Sequence, residues 1–289
     1  MFKVAILGCE NSHANSFLKT VLEQKVCDDI EFVGVYSDDL EAAQKLHDQF
    51  GVAVAQSYDE FVGKVDAIVI TARHGDNHYK YAKPYIASGI PMFIDKPITV
   101  SEEDAVAFMK ELKASGNPFC GGSMCVFADE VVEIKKLVDE QTEGKTLGGL
   151  LRAPVDMNNP YGGFFFYSQH IAQVMTHVFG CYPTSVQAFP NGKVISVVVR
   201  YPDFDLMLEC VEGNYMYHVG VSAEKGYFGK NYTPFECFPG EFGEFYSMLK
   251  GELAPKDYRE FIAPVFILNA IDRSLKSGKE EPVHAIPEI

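Results

Sequence analysis

The stretch DAIVITARHGDNHYKYAKPYIASGIPMFIDKP, Asp66–Pro97, decides the fold of this chain. An apolar run, DAIVIT, leads into a polar loop ending at His78. A predicted helix over Tyr79–Ser88 then returns the chain to a second apolar run, IPMFID. Apolar strands separated by helices are typical of a parallel sheet covered on both faces. The second run ends at Asp95 and Lys96, where ligands of such sheets bind, so we expect Lys96 to take part in chemistry.

The same alternation extends over residues 1–121. The runs FKVAILG, IEFVGVYS and NPFCGG read as further strands, and the segments 12–23, 41–50 and 101–115 read as helices. Ser101 is placed to cap the last of these helices, and Gly116 to end it. This order predicts an α/β fold with a Rossmann-type, doubly wound parallel sheet as a first domain, residues 1–121.

The second half of the chain, residues 122–289, has a different pattern. Five β-like runs follow one another with short turns between most of them: LLRAPVDM, SVQAFP, VISVVVRY, LMLECVEG and MYHVGVSA. Helical segments are predicted at 129–138, at 164–179 and within 241–277. The pattern favours an α+β domain built on a large, open, mainly antiparallel sheet.

Composition narrows the class of protein. The chain has 289 residues and a formal net charge of −15, which disfavours nucleic acid and anionic membranes as partners. It contains no apolar run of about 18 residues, so we expect no membrane span. Its seven cysteines form no CxxC pair, which argues against a structural zinc site and fits reduced thiols in a cytoplasmic protein.

Four motifs occur in an order typical of one family. They are Asp-Lys-Pro at 95–97, the loop residue His78, Gly162–Gly163 followed by His170, and a helical tail over 241–283. With them the chain resembles the glucose–fructose oxidoreductase, inositol dehydrogenase and MocA (Gfo/Idh/MocA) family of NAD(P)-dependent oxidoreductases over nearly its whole length. The resemblance implies a dinucleotide-binding domain followed by a sheet domain for substrate binding and oligomerisation.

The resemblance also implies an activity. It is hydride transfer between a nicotinamide and a secondary alcohol or carbonyl of a sugar- or polyol-like substrate. Lys96 would hold the reacting oxygen, with Asp95 orienting it, and His170 would accept the proton. Tyr167 would add a hydroxyl to the same path. Since no arginine follows the fifth strand, we expect a neutral substrate.

The phosphate loop departs from the family pattern G-x-G-x-x-G. Residues 8–13 read Gly-Cys-Glu-Asn-Ser-His, so only Gly8 is kept. A carboxylate at Glu10 would repel a phosphate about 4 Å away by about 4 kcal/mol, unless it points elsewhere. Asn11 and Ser12 could cap the helix and contact a phosphate. We predict a variant dinucleotide site made by Gly8, Glu10, Asn11, Ser12 and His13; the alternative is a fold that has lost its cofactor.

The remaining cofactor contacts are expected at the next strand ends. Ser37 stands where NAD enzymes carry an acidic residue for the adenosine ribose, and Asp38 follows it. No basic residue is adjacent to hold a 2′-phosphate, which favours NAD over NADP. Alternatively, Asp38 and Asp39 begin the next helix. Thr71 and His78, with Asp95 and Lys96, complete the predicted set.

The predicted helix at 164–179 is the third departure. The family commonly has Asp-x-x-x-His, whereas this chain has Phe166 before His170. Residues three, four and seven apart share a helix face, so Tyr167, His170, Gln173 and His177 form one polar stripe. We interpret His170 as a substrate-site residue, although a structural histidine is the alternative, and we place His177 behind it.

Two other functions stay open at this point. A family member without the usual glycines and carboxylates could act as a ligand sensor or partner subunit. Metal-assisted chemistry would use His13, His74, His78 and His170, but their spacing on loops defines no geometry, and we expect no metal.

Aromatic residues are frequent in the second half, and a large apolar patch is seldom left exposed. We therefore predict a homodimer or homotetramer formed through the C-terminal sheet, with burial under the domain's own helices as the alternative.

Overall fold

A five-stranded parallel sheet forms from the apolar runs of the N-terminal half in the computed structural model, which describes residues 1–289. Its strands are β1 (Phe2–Leu7), β2 (Ile30–Tyr36), β3 (Ala67–Ile70), β4 (Met92–Asp95) and β5 (Phe119–Gly122). Their spatial order is β2-β1-β3-β4-β5, and Val54 adds an isolated parallel bridge beyond β2. Strand order therefore reverses between β1 and β3, where a ligand crevice is expected.

The helices of this half begin and end near capping residues. They are α1 (Ser12–Leu18), α2 (Leu40–Phe50), α3 (Asp76–Ile86) and α4 (Glu102–Ser115). Ser101 accepts a hydrogen bond from the Asp104 amide, and Gly116 ends α4 in the left-handed conformation, as predicted.

Two details of the helices differ from the sequence-based expectation. The helix predicted over residues 12–23 ends at Leu18 and continues as a π-helical turn, Lys19–Glu23. His78 lies in the first turn of α3 and not in the preceding loop. The Asp76 amide donates to His74 Nδ1 (3.3 Å), which satisfies one of the first N–H groups and lets the helix start earlier.

The second sheet has seven strands. They are β6 (Thr146–Val155), β7 (Ser185–Asn191), β8 (Val194–Arg200), β9 (Asp205–Glu212), β10 (Tyr217–Ala223), β11 (Gly226–Tyr232) and β12 (Glu281–Pro282). The order is β11-β10-β6-β9-β8-β7-β12, and only the β6–β9 pair is parallel. This confirms an α/β fold with a Rossmann-type sheet and a mainly antiparallel second sheet.

Four further helices divide between this sheet and the first one. They are α5 (Asp129–Glu140), α6 (Phe164–Phe179), α7 (Phe238–Leu249) and α8 (Tyr258–Ser277). No helix combines the length and the apolar character needed to cross a bilayer.

The hydrophobic packing crosses residue 121. Phe242 and Phe245 of α7 pack with Phe17 and Phe93 on one face of the first sheet. On the other face, the first half of α8 joins the cluster that contains Ile70. The division into residues 1–121 and 122–289 stays a proposal about domains; α7 and α8 complete the core on both sides of it.

Candidate active site

Gly8 forms the tight turn at the end of β1. Its φ is +91°, and an added Cβ would lie 2.3 Å from the backbone nitrogen of Ala72. The Thr71 hydroxyl donates to the Gly8 carbonyl oxygen (2.5 Å). The loops after β1 and β3 therefore meet at the reversal of strand order, and no residue with a side chain fits at position 8.

Glu10 turns towards the end of β2. Its carboxylate accepts hydrogen bonds from the Ser37 hydroxyl (2.6 Å), the Cys9 amide (2.8 Å) and the Arg73 amide (3.0 Å). The side chain is only partly buried. The Glu10 carboxylate, from the loop after β1, therefore lies beside Ser37, the position after β2 where NAD enzymes carry an acidic residue.

Asp38 and Asp39 have separate roles. Asp38 is exposed and accepts hydrogen bonds from the hydroxyls of Tyr36 (2.5 Å) and Tyr81 (2.7 Å). The Tyr36 hydrogen bond is the main reason that the pKa of Asp38 is lowered. Asp39 caps α2 by accepting from the Ala42 amide. Asp39 therefore begins the helix, as the alternative interpretation stated, while Asp38 belongs to a tyrosine cluster.

Asn11, Ser12 and His13 open α1. The Asn11 side chain accepts from the His13 amide (2.9 Å) and donates to Asp95 Oδ2 (3.1 Å). Ser12 is exposed, whereas His13 is 2% exposed. His13 Nδ1 lies 2.9 Å from Glu241 Oε1 of α7 and 3.6 Å from Asp95 Oδ1. Of the predicted loop residues, Ser12 therefore faces solvent, whereas His13 points into the protein.

Lys96 is buried at the end of β4, with 5% of its surface exposed. Its backbone N–H donates to Asp95 Oδ1 (2.7 Å), and its ammonium group lies 5.1 Å from the centre of the Phe166 ring on α6. Because Lys96 and Asp95 are both buried, they do not form an ion pair at the surface. The Lys96 charge is directed at α6, where a cation–π contact holds it.

His170 lies on α6 one turn beyond Phe166. Its Nδ1 is 2.7 Å from the Ser123 hydroxyl, and the residue is 5% exposed. Burial lowers the pKa of His170 well below its usual value, and the charges of Lys96 and His13 lower it further. Gln173 Oε1 accepts from the Ser123 amide (2.7 Å). The imidazole is therefore neutral near pH 7, as a proton acceptor must be.

The other two residues of the predicted polar stripe, Tyr167 and His177, lie in different surroundings. The Tyr167 ring packs against Phe166 and Tyr215 at 4.8 and 5.9 Å between centres, and burial raises its pKa. His177 lines a separate cleft of about 800 Å³ between α5, α6 and the start of α8, which contains neither Lys96 nor His170. Burial lowers the pKa of His177 to about 4.

His78 supports the loop after β3 from inside. Its Nε2 lies 2.7 Å from the Ala72 carbonyl oxygen, and its buried Nδ1 has no hydrogen-bond partner. Burial lowers the pKa of His78. Of the four histidines considered for a metal, only His13 belongs to a group of three ligand-type residues within 4.8 Å, together with Asp95 and Glu241.

Comparison with known proteins shows what the first half of the chain is similar to. Residues 2–122 match the model of an oxidoreductase family with an NAD-binding Rossmann fold. Over these residues the chain is similar to the Gfo/Idh/MocA oxidoreductase family. A related protein, the scyllo-inositol 2-dehydrogenase (NAD(+)) of Bacillus subtilis, is 28% identical over 160 residues, 51% of this chain. The chain matches 45% of that protein's length.

Solved structures of inositol dehydrogenases share the fold of the whole chain. Myo-inositol dehydrogenase from Lactobacillus casei, in complex with NAD(H) and myo-inositol, superposes with a TM-score of 0.87 at 14% identity, over 100% of this chain and 98% of that one. Myo-inositol 2-dehydrogenase from Lactobacillus plantarum gives 0.86 at 15% identity, over 98% and 99%. The Gfo/Idh/MocA resemblance seen in the sequence is confirmed as a fold.

Three residues of the candidate site were missed by the sequence analysis. The Arg73 guanidinium lies 4.7 Å from the centre of the Tyr161 ring and 5.2 Å from that of Phe166, and its buried Nε has no partner. Its place two residues after Thr71 was the signal available. Ser123 and Glu241 gave no such signal, because only the folded chain brings them to His170 and His13.

Proposed function

We propose that this protein is a nicotinamide-dependent dehydrogenase that interconverts a secondary alcohol and a carbonyl on a sugar- or polyol-like substrate. One observation carries the proposal: the buried Lys96 ammonium faces α6 at Phe166, one turn before the neutral His170. A fixed positive charge beside a neutral base is what removal of a hydroxyl proton requires. The inositol dehydrogenases among the relatives support the substrate class.

The residues at the strand ends fit a dinucleotide. Gly8 lets the loops after β1 and β3 approach each other closely, and Ser12, at the start of α1, is exposed where it would meet a phosphate. Glu10, beside Ser37, suits the ribose hydroxyls of NAD and would repel the 2′-phosphate of NADP. When bound, the cofactor supplies the hydride acceptor or donor.

The proton is handled by the protein. Lys96 would hold the reacting oxygen and stabilise the negative charge that develops on it. His170 would take the hydroxyl proton, with Ser123 fixing the ring through Nδ1. Tyr167, held by Phe166 and Tyr215, lies on the same helix and would extend the polar path.

The proposal includes a neutral polyol as substrate and a homodimer or homotetramer as the assembly. The outer face of the second sheet leaves apolar side chains exposed, among them Leu150, Phe189, Met207 and Tyr227. Leu150 and Met207 are neighbours in register on β6 and β9. A second copy that packs there would cover them. Seven unpaired cysteines support a cytoplasmic location.

Calorimetric titration with NAD, NADH, NADP and NADPH, followed by a polyol screen, tests the function. We expect tighter binding of the NAD forms and formation of reduced cofactor with at least one polyol. Lys96→Ala should lower kcat/KM by about 10²–10³-fold. Lys83→Ala, an exposed lysine of α3, is the matched control and should behave as the wild type.

A ligand sensor is the second candidate, and the Glu10 carboxylate favours it, because it already takes up the amides of Cys9 and Arg73. If none of the four dinucleotides binds at millimolar concentration, the dehydrogenase proposal fails. Binding of a polyol without cofactor would then support the sensor.

A further inference from the structure

His13 is held between two carboxylates inside the protein. Its Nδ1 lies 2.9 and 3.0 Å from the two oxygens of Glu241 and 3.6 Å from Asp95 Oδ1. Asp95 and Glu241 are 0% and 2% exposed. A buried carboxylate is costly unless it is paired, and here one ring faces two of them.

Three elements from distant parts of the chain build this cluster. His13 comes from α1, Asp95 from β4 and Glu241 from α7, while the Phe238 ring packs edge-on against the imidazole at 5.3 Å. Asn11 donates to the second oxygen of Asp95, and the Lys96 amide donates to the first. Asp95 Oδ1 therefore faces both the His13 ring and the Lys96 amide, while Asn11 holds Oδ2.

A proton, and not a metal ion, suits the cluster. The distances from Nδ1 to Glu241 are those of a charge-assisted hydrogen bond. With an imidazolium ring, two negative and two positive charges balance, counting Lys96. A divalent cation would add positive charge next to the Lys96 ammonium group.

We propose that Glu241 and His13 form a proton-holding pair that acts through Asp95 to position Lys96 and to set the charge around it. Loss of the His13 proton would leave Asp95 and Glu241 facing Lys96 with one excess negative charge, in a site that must stabilise a developing alkoxide. Glu241 and His13 are thus positioning residues. Their effect on turnover rests on the proposed function, whereas their titration does not.

The surroundings of the ring support this assignment. The titratable groups that face His13 are Asp95 and Lys96 from β4, Glu241 from α7 and His170 from α6. Burial lowers the pKa of His13, but the charges of Asp95 and Glu241 outweigh it and raise the pKa above its usual value. The ring therefore holds its proton more firmly than an ordinary histidine, and its charge adds to the effects of burial and of Lys96 that lower the pKa of His170.

NMR titration of the histidine rings, without cofactor or substrate, tests the pair directly. His13→Asn identifies the His13 signal among the eight histidines. In the wild type we expect this signal to titrate above the usual range, and Glu241→Gln should weaken proton binding at His13 about tenfold. Glu244→Gln, one turn further along α7 and paired with Lys256, is the matched control and should not shift it.

Two results would overturn the assignment: an ordinary titration of His13 in the wild type, or stoichiometric divalent metal in the purified protein. If Glu241→Gln does not fold, Glu241→Asp withdraws the carboxylate while keeping its charge. It should lower the pKa at which His13 titrates, but by less than Glu241→Gln does.

The pH profile of kcat/KM then tests the action on Lys96. The alkaline limb of this profile should move to lower pH in Glu241→Gln by as much as the pKa of His13 moves, and mainly through kcat. In Glu244→Gln it should stay in place. A shifted titration with an unshifted profile would refute the positioning role. Absence of any wild-type turnover would refute the proposed function and leave the titration result standing.

Discussion

Two carboxylate clusters lie at neighbouring strand ends and differ in how their charge is compensated. Glu10, at the ends of β1 and β2, is partly exposed and accepts from a hydroxyl and two amides. Asp95 and Glu241 are buried around an ionisable ring. Neutral donors leave the charge of the first cluster available to a ligand. The second is closed, so its charge acts on the protein's own lysine.

Removing the ring from the closed cluster should have the largest effect. His13→Asn leaves Lys96 as the only cation beside two buried carboxylates, and we expect a loss of about 3–5 kcal/mol in the free energy of unfolding. Because the folded-state pKa of His13 is raised, its contribution is complete below its unfolded value of about 6.5 and is lost as pH rises through the folded value.

Urea unfolding of His13→Asn at several pH values measures this effect. The difference from the wild type should be greatest on the acid side of neutrality and shrink in alkali. His284→Asn, which removes an exposed histidine paired with Glu102, is the control. A pH-independent difference would mean that packing, and not charge, explains the loss.

His170 extends the comparison, since its pKa moves in the opposite direction to that of His13. Under the proposed function, His170→Asn should reduce kcat by about 10²–10⁴-fold. In the wild type, burial and the charge of Lys96 keep the imidazole neutral, so activity should persist below pH 6.5, the usual pKa of histidine. A pH–rate profile of the oxidation checks this; an acid limb at the ordinary histidine value would contradict it.

Glu10→Gln should alter the open cluster without unfolding the protein. Removing the charge should raise the affinity for NADPH relative to NADH about tenfold, or about 1.4 kcal/mol. This is less than the about 4 kcal/mol of a bare charge pair, because water and salt reach the cleft. Calorimetry with both cofactors measures the ratio, and an unchanged ratio would separate Glu10 from the ribose.

Asp38→Asn should have the smallest effect. The carboxylate is engaged by the hydroxyls of Tyr36 and Tyr81. We expect the affinity for NADH to stay within about twofold, well inside the variation typical of surface substitutions. A larger loss, by the same calorimetry, would move the ribose contact from Glu10 back to Asp38.

Much of the fold could be predicted because buried strands and capped helices leave patterns in the neighbouring sequence. The apolar runs that became β1 to β5 and the capping pair Ser101 and Gly116 are readable without the structure. Strand β11 was missed: its residues, GYFGKNY, include two glycines and are mostly exposed at the sheet edge. There, pairing with β10 and not burial specifies the strand.

Site residues could be predicted only where the neighbouring sequence marks them. Lys96 follows a strand and His170 lies on an amphipathic helix, so both could be chosen as candidates. His13 was predicted as a cofactor residue; its buried contacts with Asp95 and Glu241 could not be foreseen, since Glu241 follows it by 228 residues. No spacing rule links them; only the packing of α7 on the first sheet brings their side chains together.

The packing of α7 and α8 has a consequence for synthesis. Both faces of the N-terminal sheet are completed by helices that the ribosome makes only after residue 237: Phe245 reaches Phe93, and Phe261 reaches Phe119. The emerging sheet therefore keeps apolar surface exposed until α7 and α8 have been made. A nascent chain stalled before residue 238 should bind chaperones and be cut readily by proteases, although all five strands of its first sheet have been made.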